Sequence, residues 1–164
     1  MRFSKPTVRL TGFLVALAIG WLDQWSKAAV AALAGSLPQD VTPFMSITLV
    51  HNHGISFGLL SGMPQLGSWL LTLFLSTIAV GLAVWLLRAR FMSVAVLLGL
   101  IIGGAVGNII DRLRLGSVTD FLDFHLFGHH WPAFNIADSA ICIGVVILVL
   151  ISIVSPATVE EETK

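Results

Sequence analysis

The chain has 164 residues, 56% of them hydrophobic and 11% charged, and its nine Lys plus Arg balance nine Asp plus Glu. So apolar a composition excludes an ordinary soluble domain of this size. The balanced charge makes no case for nucleic acid, and none is expected as a partner. The single cysteine, Cys142, lies in an apolar run and excludes both a disulfide framework and a cysteine metal cluster.

A membrane span needs about 20 mostly apolar residues. Four stretches qualify, at residues 10–29, 66–87, 91–110 and 136–154. The expected fold is therefore an all-α membrane protein, one integral-membrane domain over residues 1–164, with a disordered tail at about 155–164. The first span has the basic start and alanine-rich end of a signal peptide. The three later spans, and Asp23 and Lys27 within it, argue for a retained helix instead. Arg2, Lys5, Arg9, Arg88, Arg90 and Lys164 fall on one side of such a bundle. By the positive-inside rule both termini are cytoplasmic, and the connections at 31–65 and 111–135 face outward.

Along the first span, Asp23 and Lys27 are four apart and share a helix face. They read as an ion pair near the interface, with Lys27 free to snorkel outward, or as an anchor for the outer connections. The first of those connections contains Ser46-Ile47-Thr48-Leu49-Val50, a strand-like alternation, followed by His51-Asn52-His53-Gly54-Ile55-Ser56-Phe57-Gly58. Short strands on the outer membrane surface are expected, with Gly54 and Gly58 as turns. The third span carries Gly99, Gly103 and Gly107 at four-residue spacing, a smooth face for close approach of another backbone. Asn108 and Asp111 lie on one face at its end, where Asp111 and Arg112 read as a cap and anchor. The Arg112 fork also suits a phosphate or a carbonyl.

The second outer connection holds two rival carboxylates, Asp120 and Asp123. In an extended segment they point to opposite sides, and the residues alone do not choose between them. Asp138 opens the fourth span and makes a good helix cap. Asn135 is an equally good one, which leaves Asp138 open to other work near a helix N-terminus. Ionisable groups at membrane depth are costly and mark working sites. Two carboxylates that meet suit shared-proton acid/base chemistry. The histidines, His51, His53, His125, His129 and His130, match no helical ligand spacing, and one H-x-H pair is a weak signal. No metal site and no cofactor are expected.

Five polar words stand in order along the chain: Asp23-Gln24-Trp25-Ser26-Lys27; Asn52 to Gly58; Gly103-Gly104-Ala105-Val106-Gly107-Asn108-Ile109-Ile110-Asp111-Arg112; Gly116-Ser117-Val118-Thr119-Asp120-Phe121; and Phe134-Asn135-Ile136-Ala137-Asp138-Ser139. Together they resemble the lipoprotein signal peptidases (signal peptidase II), aspartic peptidases of the bacterial inner membrane. The resemblance runs from the first span to the fourth. It implies four transmembrane helices with a small periplasmic β-sheet cradle and a short periplasmic helix. It implies that Asp120 and Asp138 are the catalytic pair, with Asp123 a neighbour. Asp23, Lys27, Asn52, Gly54, Asn108, Arg112 and Asn135 match the family's supporting residues around the substrate.

The implied substrate is a prolipoprotein whose lipobox cysteine carries diacylglycerol, cut just before that cysteine. Membrane lipids are implied partners, the chain is expected to be a monomer, and inhibition by cyclic peptide antibiotics such as globomycin is implied. Two other readings stand beside this one. The first is a small proton- or ion-coupled carrier using intramembrane aspartates. The second is a metal-dependent hydrolase using the histidines.

Overall fold

The computed structural model describes residues 4–54 and 64–154. Four helices carry the bundle: α1 (Lys5–Ala32), α2 (Pro64–Leu86), α3 (Met92–Leu115) and α4 (Ile136–Val154). Each is long and apolar enough to cross a membrane, so the chain is a multi-pass membrane protein. Side chains such as Leu17, Trp21, Leu73 and Phe74 are exposed on the helices. Lipid is the solvent that makes such a surface stable.

Helices α1 and α3 outrun the hydrophobic stretches that predict them, because polar end residues continue a helix when its free backbone groups are satisfied, whereas α4 matches its stretch. At the start of α1, Ser4 accepts from the Thr7 N–H at 3.4 Å. Pro6 sits in the first turn, where no donor is needed. At the end of α3, Asp111, Arg112 and Arg114 continue the helix to Leu115. Gly116 closes it in the left-handed region at φ 73°, its N–H on the Arg112 carbonyl. Asp111 and Arg112 are therefore not the helix cap that the sequence suggests; Gly116 is.

Between the helices lies a four-stranded antiparallel sheet in the order β1 (Gln39–Thr42), β2 (Met45–Asn52), β3 (Val118–Leu126) and β4 (His129–His130). β2 and β3 pair with Val50 opposite Asp120 and Asn52 opposite Val118. The expected strand at 46–50 is the middle of β2. The other helical piece among the described residues is a 3-10 turn, Ala34–Ser36. Residues 55–63, with Ser56 and Gly58, and the tail at 155–164 lie outside the described residues.

Helix α3 is the hub. In its most apolar stretch 61% of residues are buried, against 17% in each of the other helices. Lipid tails supply no hydrophobic drive for helix pairing, so close backbone packing does. Gly99 meets the Gly12 carbonyl and Val15 of α1, and a Cβ on Gly103 would fall 2.5 Å from the Ala16 carbonyl oxygen. On another face, a Cβ on Gly104 would fall 2.5 Å from the Ala137 carbonyl oxygen of α4. Val8, Leu86, Ala89, Val94, Ala95 and Leu98 fill the core at the end opposite the sheet. That end also carries Lys5, Arg9, Arg88 and Arg90.

Gly103→Val is expected to cost about 1–3 kcal/mol through overpacking against α1, seen as a lower thermal midpoint in detergent. Gly81→Ala should not lower that midpoint, since a Cβ on Gly81 meets nothing within 4 Å and Ala favours the helix.

Candidate active site

The site is assembled around a buried ammonium. Lys27, 4% exposed, lies 2.8 Å from Asp23 Oδ2 and 3.0 Å from Asp111 Oδ2 and donates to Asn108 Oδ1 at 2.9 Å. It does not snorkel. Three acceptors on α1 and α3 converge on it, and a paired buried cation is far cheaper than an unpaired one. Gly107 makes room for this, since a Cβ there would overlap the Asp23 carboxylate.

The carboxylates around Lys27 then reach outward. Asp23 Oδ1 accepts from the Ala137 N–H of α4 at 3.0 Å. Asp111 Oδ2 accepts from the Thr119 N–H of β3 at 2.9 Å. Gln24 ties the group together, donating to Asp111 Oδ1 at 2.9 Å and to the Gly107 carbonyl at 3.1 Å. Asp23 and Lys27 are thus an ion pair and, with Asp111, hold β3 and the start of α4.

At the head of α4, Asn135 and Asp138 form a reciprocal capping pair. The Asp138 N–H donates to Asn135 Oδ1 at 2.9 Å, and the Asn135 N–H donates to Asp138 Oδ2 at 3.2 Å. Asn135 is the cap itself, which leaves Asp138 Oδ1 for the interior. There it accepts from Asn108 Nδ2 at 2.8 Å.

Asp120 comes to the same place from β3. It is 2% exposed. Asn135 Nδ2 donates to its Oδ1 at 2.7 Å, and Asn52 Nδ2 donates to its Oδ2 at 2.9 Å. Asn52 reaches it diagonally across the β2–β3 pair and is itself held by the Gly54 N–H, which donates to Asn52 Oδ1 at 2.8 Å. Gly54 takes φ 73°, which suits a residue without a side chain, and lies beside Leu71 and Arg112. Asn135 therefore touches both Asp120 and Asp138. Burial pushes the Asp120 carboxyl above the usual carboxylate range. The hydrogen bond from Asn52 opposes that shift, the nearby charge of Asp138 adds to it, and the Asn135 amide opposes it again.

Arg112 is half-buried, in the field of Asp138, Asp120 and Asp111. Its Nη1 donates weakly to the Asn108 carbonyl at 3.4 Å, and its buried Nε has no partner among the described residues. That leaves donors in reserve at the mouth of the site. Asp123 lies on the opposite side of β3 and binds His130 Nδ1 at 2.9 Å, so it is not part of the constellation.

A family model described as signal peptidase (SPase) II matches residues 15–154. The chain belongs to the signal peptidase II family. Among its relatives, the lipoprotein signal peptidase of Rhizorhabdus wittichii is 43% identical over 154 residues, covering 92% of this chain and 90% of that protein. The lipoprotein signal peptidase of Syntrophus aciditrophicus is 44% identical over 135 residues, covering 79% of this chain and 83% of that protein. A bacterial membrane enzyme solved by the in meso method at 1.9 Å is similar in structure, with TM-score 0.73 and 33% identity over 85% of this chain and 90% of that one.

Within this signal peptidase II bundle, every residue expected around the site gathers at one end: Asp23, Lys27, Asn52, Gly54, Asn108, Arg112, Asp120, Asn135 and Asp138. Gln24 and Thr119 were not singled out by sequence. Gln24 stands one residue after Asp23 and three before Lys27, and only its place inside the first polar word marks it. Thr119 contributes a backbone N–H and a carbonyl, to which Asn135 Nδ2 donates at 3.3 Å, and no side-chain signal reveals that.

Two outcomes follow from this geometry. Lys27→Met leaves Asp23 and Asp111 buried without a cation and should cost about 3–5 kcal/mol, read as a fall in thermal midpoint. The Asp120 carboxyl should hold its proton to a higher pH than an ordinary aspartate. Asp138→Asn removes a like charge and should lower the pH at which Asp120 gives up its proton, as followed by carbon NMR of labelled aspartate.

Proposed function

We propose that this chain removes signal peptides from diacylglyceryl-modified prolipoproteins as an aspartic endopeptidase, with Asp120 and Asp138 as the catalytic pair. The observation that carries the reading is the bridge through Asn135, which joins two carboxyls from different elements at one end of a membrane bundle. Two carboxyls linked through one asparagine suit paired acid/base work. Asp120, with its raised affinity for a proton, is the acid and Asp138, at the N-terminus of α4, is the base.

Asp138 takes a proton from a water, which attacks the scissile carbonyl carbon. Asp120 donates its proton to the carbonyl oxygen. The tetrahedral intermediate then collapses: Asp138 gives its proton to the leaving amine, the C–N bond breaks, and a hydroxyl of the intermediate returns a proton to Asp120. No covalent enzyme intermediate forms. The unused donors of Arg112 suit the developing charge on oxygen. Asn52, Asn108 and Asn135 hold the two carboxyls in register, while Asp23, Lys27 and Gly54 hold those amides and the strand that carries them.

The cut falls before the lipidated cysteine, whose acyl chains stay in the bilayer while water arrives from the side of the sheet. Lys5, Arg9, Arg88 and Arg90 at the other end support a cytoplasmic placement of that end. The site then faces the periplasm from the inner membrane, in a chain that works as a monomer among membrane lipids. Binding of a cyclic peptide antibiotic such as globomycin belongs to the same reading. A carrier needs polar groups through the depth of several helices. Here Asp23, Lys27, Asn108, Asp111, Asp120, Asn135 and Asp138 form one linked group at a single end, and the family is a peptidase family.

Asp120→Asn and Asp138→Asn should each reduce cleavage of a lipidated precursor by at least about a hundredfold, the scale of general acid–base assistance, as read on a gel. Full activity in either variant overturns the assignment. Asp123→Asn should keep far more activity than either, and a chelator should leave the peptidase working. Because Asp120 must carry its proton, activity should fall as pH rises through its raised midpoint.

A further inference from the structure

The β3–β4 hairpin brings together a second cluster of polar side chains. Its two-residue turn, Phe127-Gly128, has positive φ at both positions, 51° and 79°, as a tight hairpin turn of this kind requires. The turn sets the register, with His125 opposite His130 and Leu126 opposite His129. Partners across a strand pair share a face. Asp123 lies two residues before His125 on β3 and shares that face, whereas Asp120, three residues before Asp123, points to the other.

The donor atoms of Asp123, His125 and His130 all lie within 4.8 Å of one another. His130 Nδ1 sits 3.0 and 2.9 Å from the two Asp123 oxygens. The His125 and His130 rings stack with centroids 4.9 Å apart, 28° from parallel. His125 Nδ1 is buried and has no hydrogen-bond partner among the described residues. A His130–Asp123 contact by itself satisfies His130 and leaves that nitrogen orphaned, which is costly for a buried polar atom.

We propose that Asp123, His125 and His130 form a binding site for a divalent transition metal of the zinc class, separate from the catalytic pair. Two imidazoles and one carboxylate suit such an ion, whereas calcium and magnesium prefer all-oxygen shells. Bonds of about 2 Å to each ligand need the three donors to draw in from their present spacing, which side-chain rotation on an exposed hairpin allows. The His130 side chain is 57% exposed and that of Asp123 18%. A recess of about 670 Å³ bordered by His125, His129 and His130 gives a path of entry. Water completes the coordination shell. Binding needs both imidazoles neutral at the ligating nitrogen, so any proton on them passes to solvent. An ion held by both strands clamps the hairpin shut.

The test is titration of the full chain in detergent, its affinity tag removed, with Co²⁺ as a coloured stand-in and Zn²⁺ as competitor. One saturable equivalent with ligand-field absorption, displaced by Zn²⁺, is expected. His125→Ala and His130→Ala should each weaken apparent affinity by at least about tenfold, no less than loss of an outer-shell partner costs a metal site. His51→Ala and His53→Ala should leave it unchanged. The exposure of His130 makes its variant safe for folding even if that of His125 is not. Absence of saturable binding, or binding unaffected by His130→Ala, overturns the proposal, as does binding that is lost with His51 or His53.

Discussion

The buried ammonium of Lys27 is the interaction on which the rest depends. A cation inside an apolar bundle is tolerable only with close acceptors around it. Asp23, Asn108 and Asp111 supply them from α1 and α3. Each of the two carboxylates keeps a lone pair for one further backbone N–H, Ala137 at the head of α4 and Thr119 at the head of β3. One charge thus sets the relative positions of four elements, and two of those elements carry Asp120 and Asp138, the proposed catalytic carboxyls.

Two asparagines carry that order forward. Lys27 can only donate, so Asn108 must turn its oxygen toward Lys27 and its amide nitrogen toward Asp138. Asn135 uses its oxygen to cap α4, which leaves its nitrogen for Asp120. The orientation of each amide is forced by a partner of fixed polarity. Asp138 and Asp120 are therefore each aimed by an amide whose own orientation is fixed. The glycine face of α3 makes the arrangement possible, since only there can the Asp23 carboxylate approach the helix backbone at Gly107.

Much of the fold is legible in the residues. Long apolar runs state four spans, because lipid demands them. Their ends are less legible, since hydropathy ignores caps: Ser4 and Gly116 extend α1 and α3 past the apolar stretches. Alternation from Ser46 to Val50 marks β2, but β4 is only His129 and His130, too short for any period to show. Snorkelling of Lys27 was the wrong expectation, because its acceptors on α3 lie 81 residues or more away in sequence. Asp111 was read as part of a cap for the same reason, its real partners being Lys27 and the Thr119 N–H.

By itself the sequence determined the membrane class, the number of spans, the clustering of basic residues on one side and the identity of the polar words. Those properties are local, set by composition and spacing. The residues alone left Asp120 and Asp123 as equals, and only the resemblance ranked them. What tertiary structure decided is which groups meet: strand pairing turns Asp120 inward to Asn52 and Asn135 and turns Asp123 outward to His130. The physical reason is that a carboxyl's chemistry depends on burial and on donors brought by distant parts of the chain, and no window of sequence contains both.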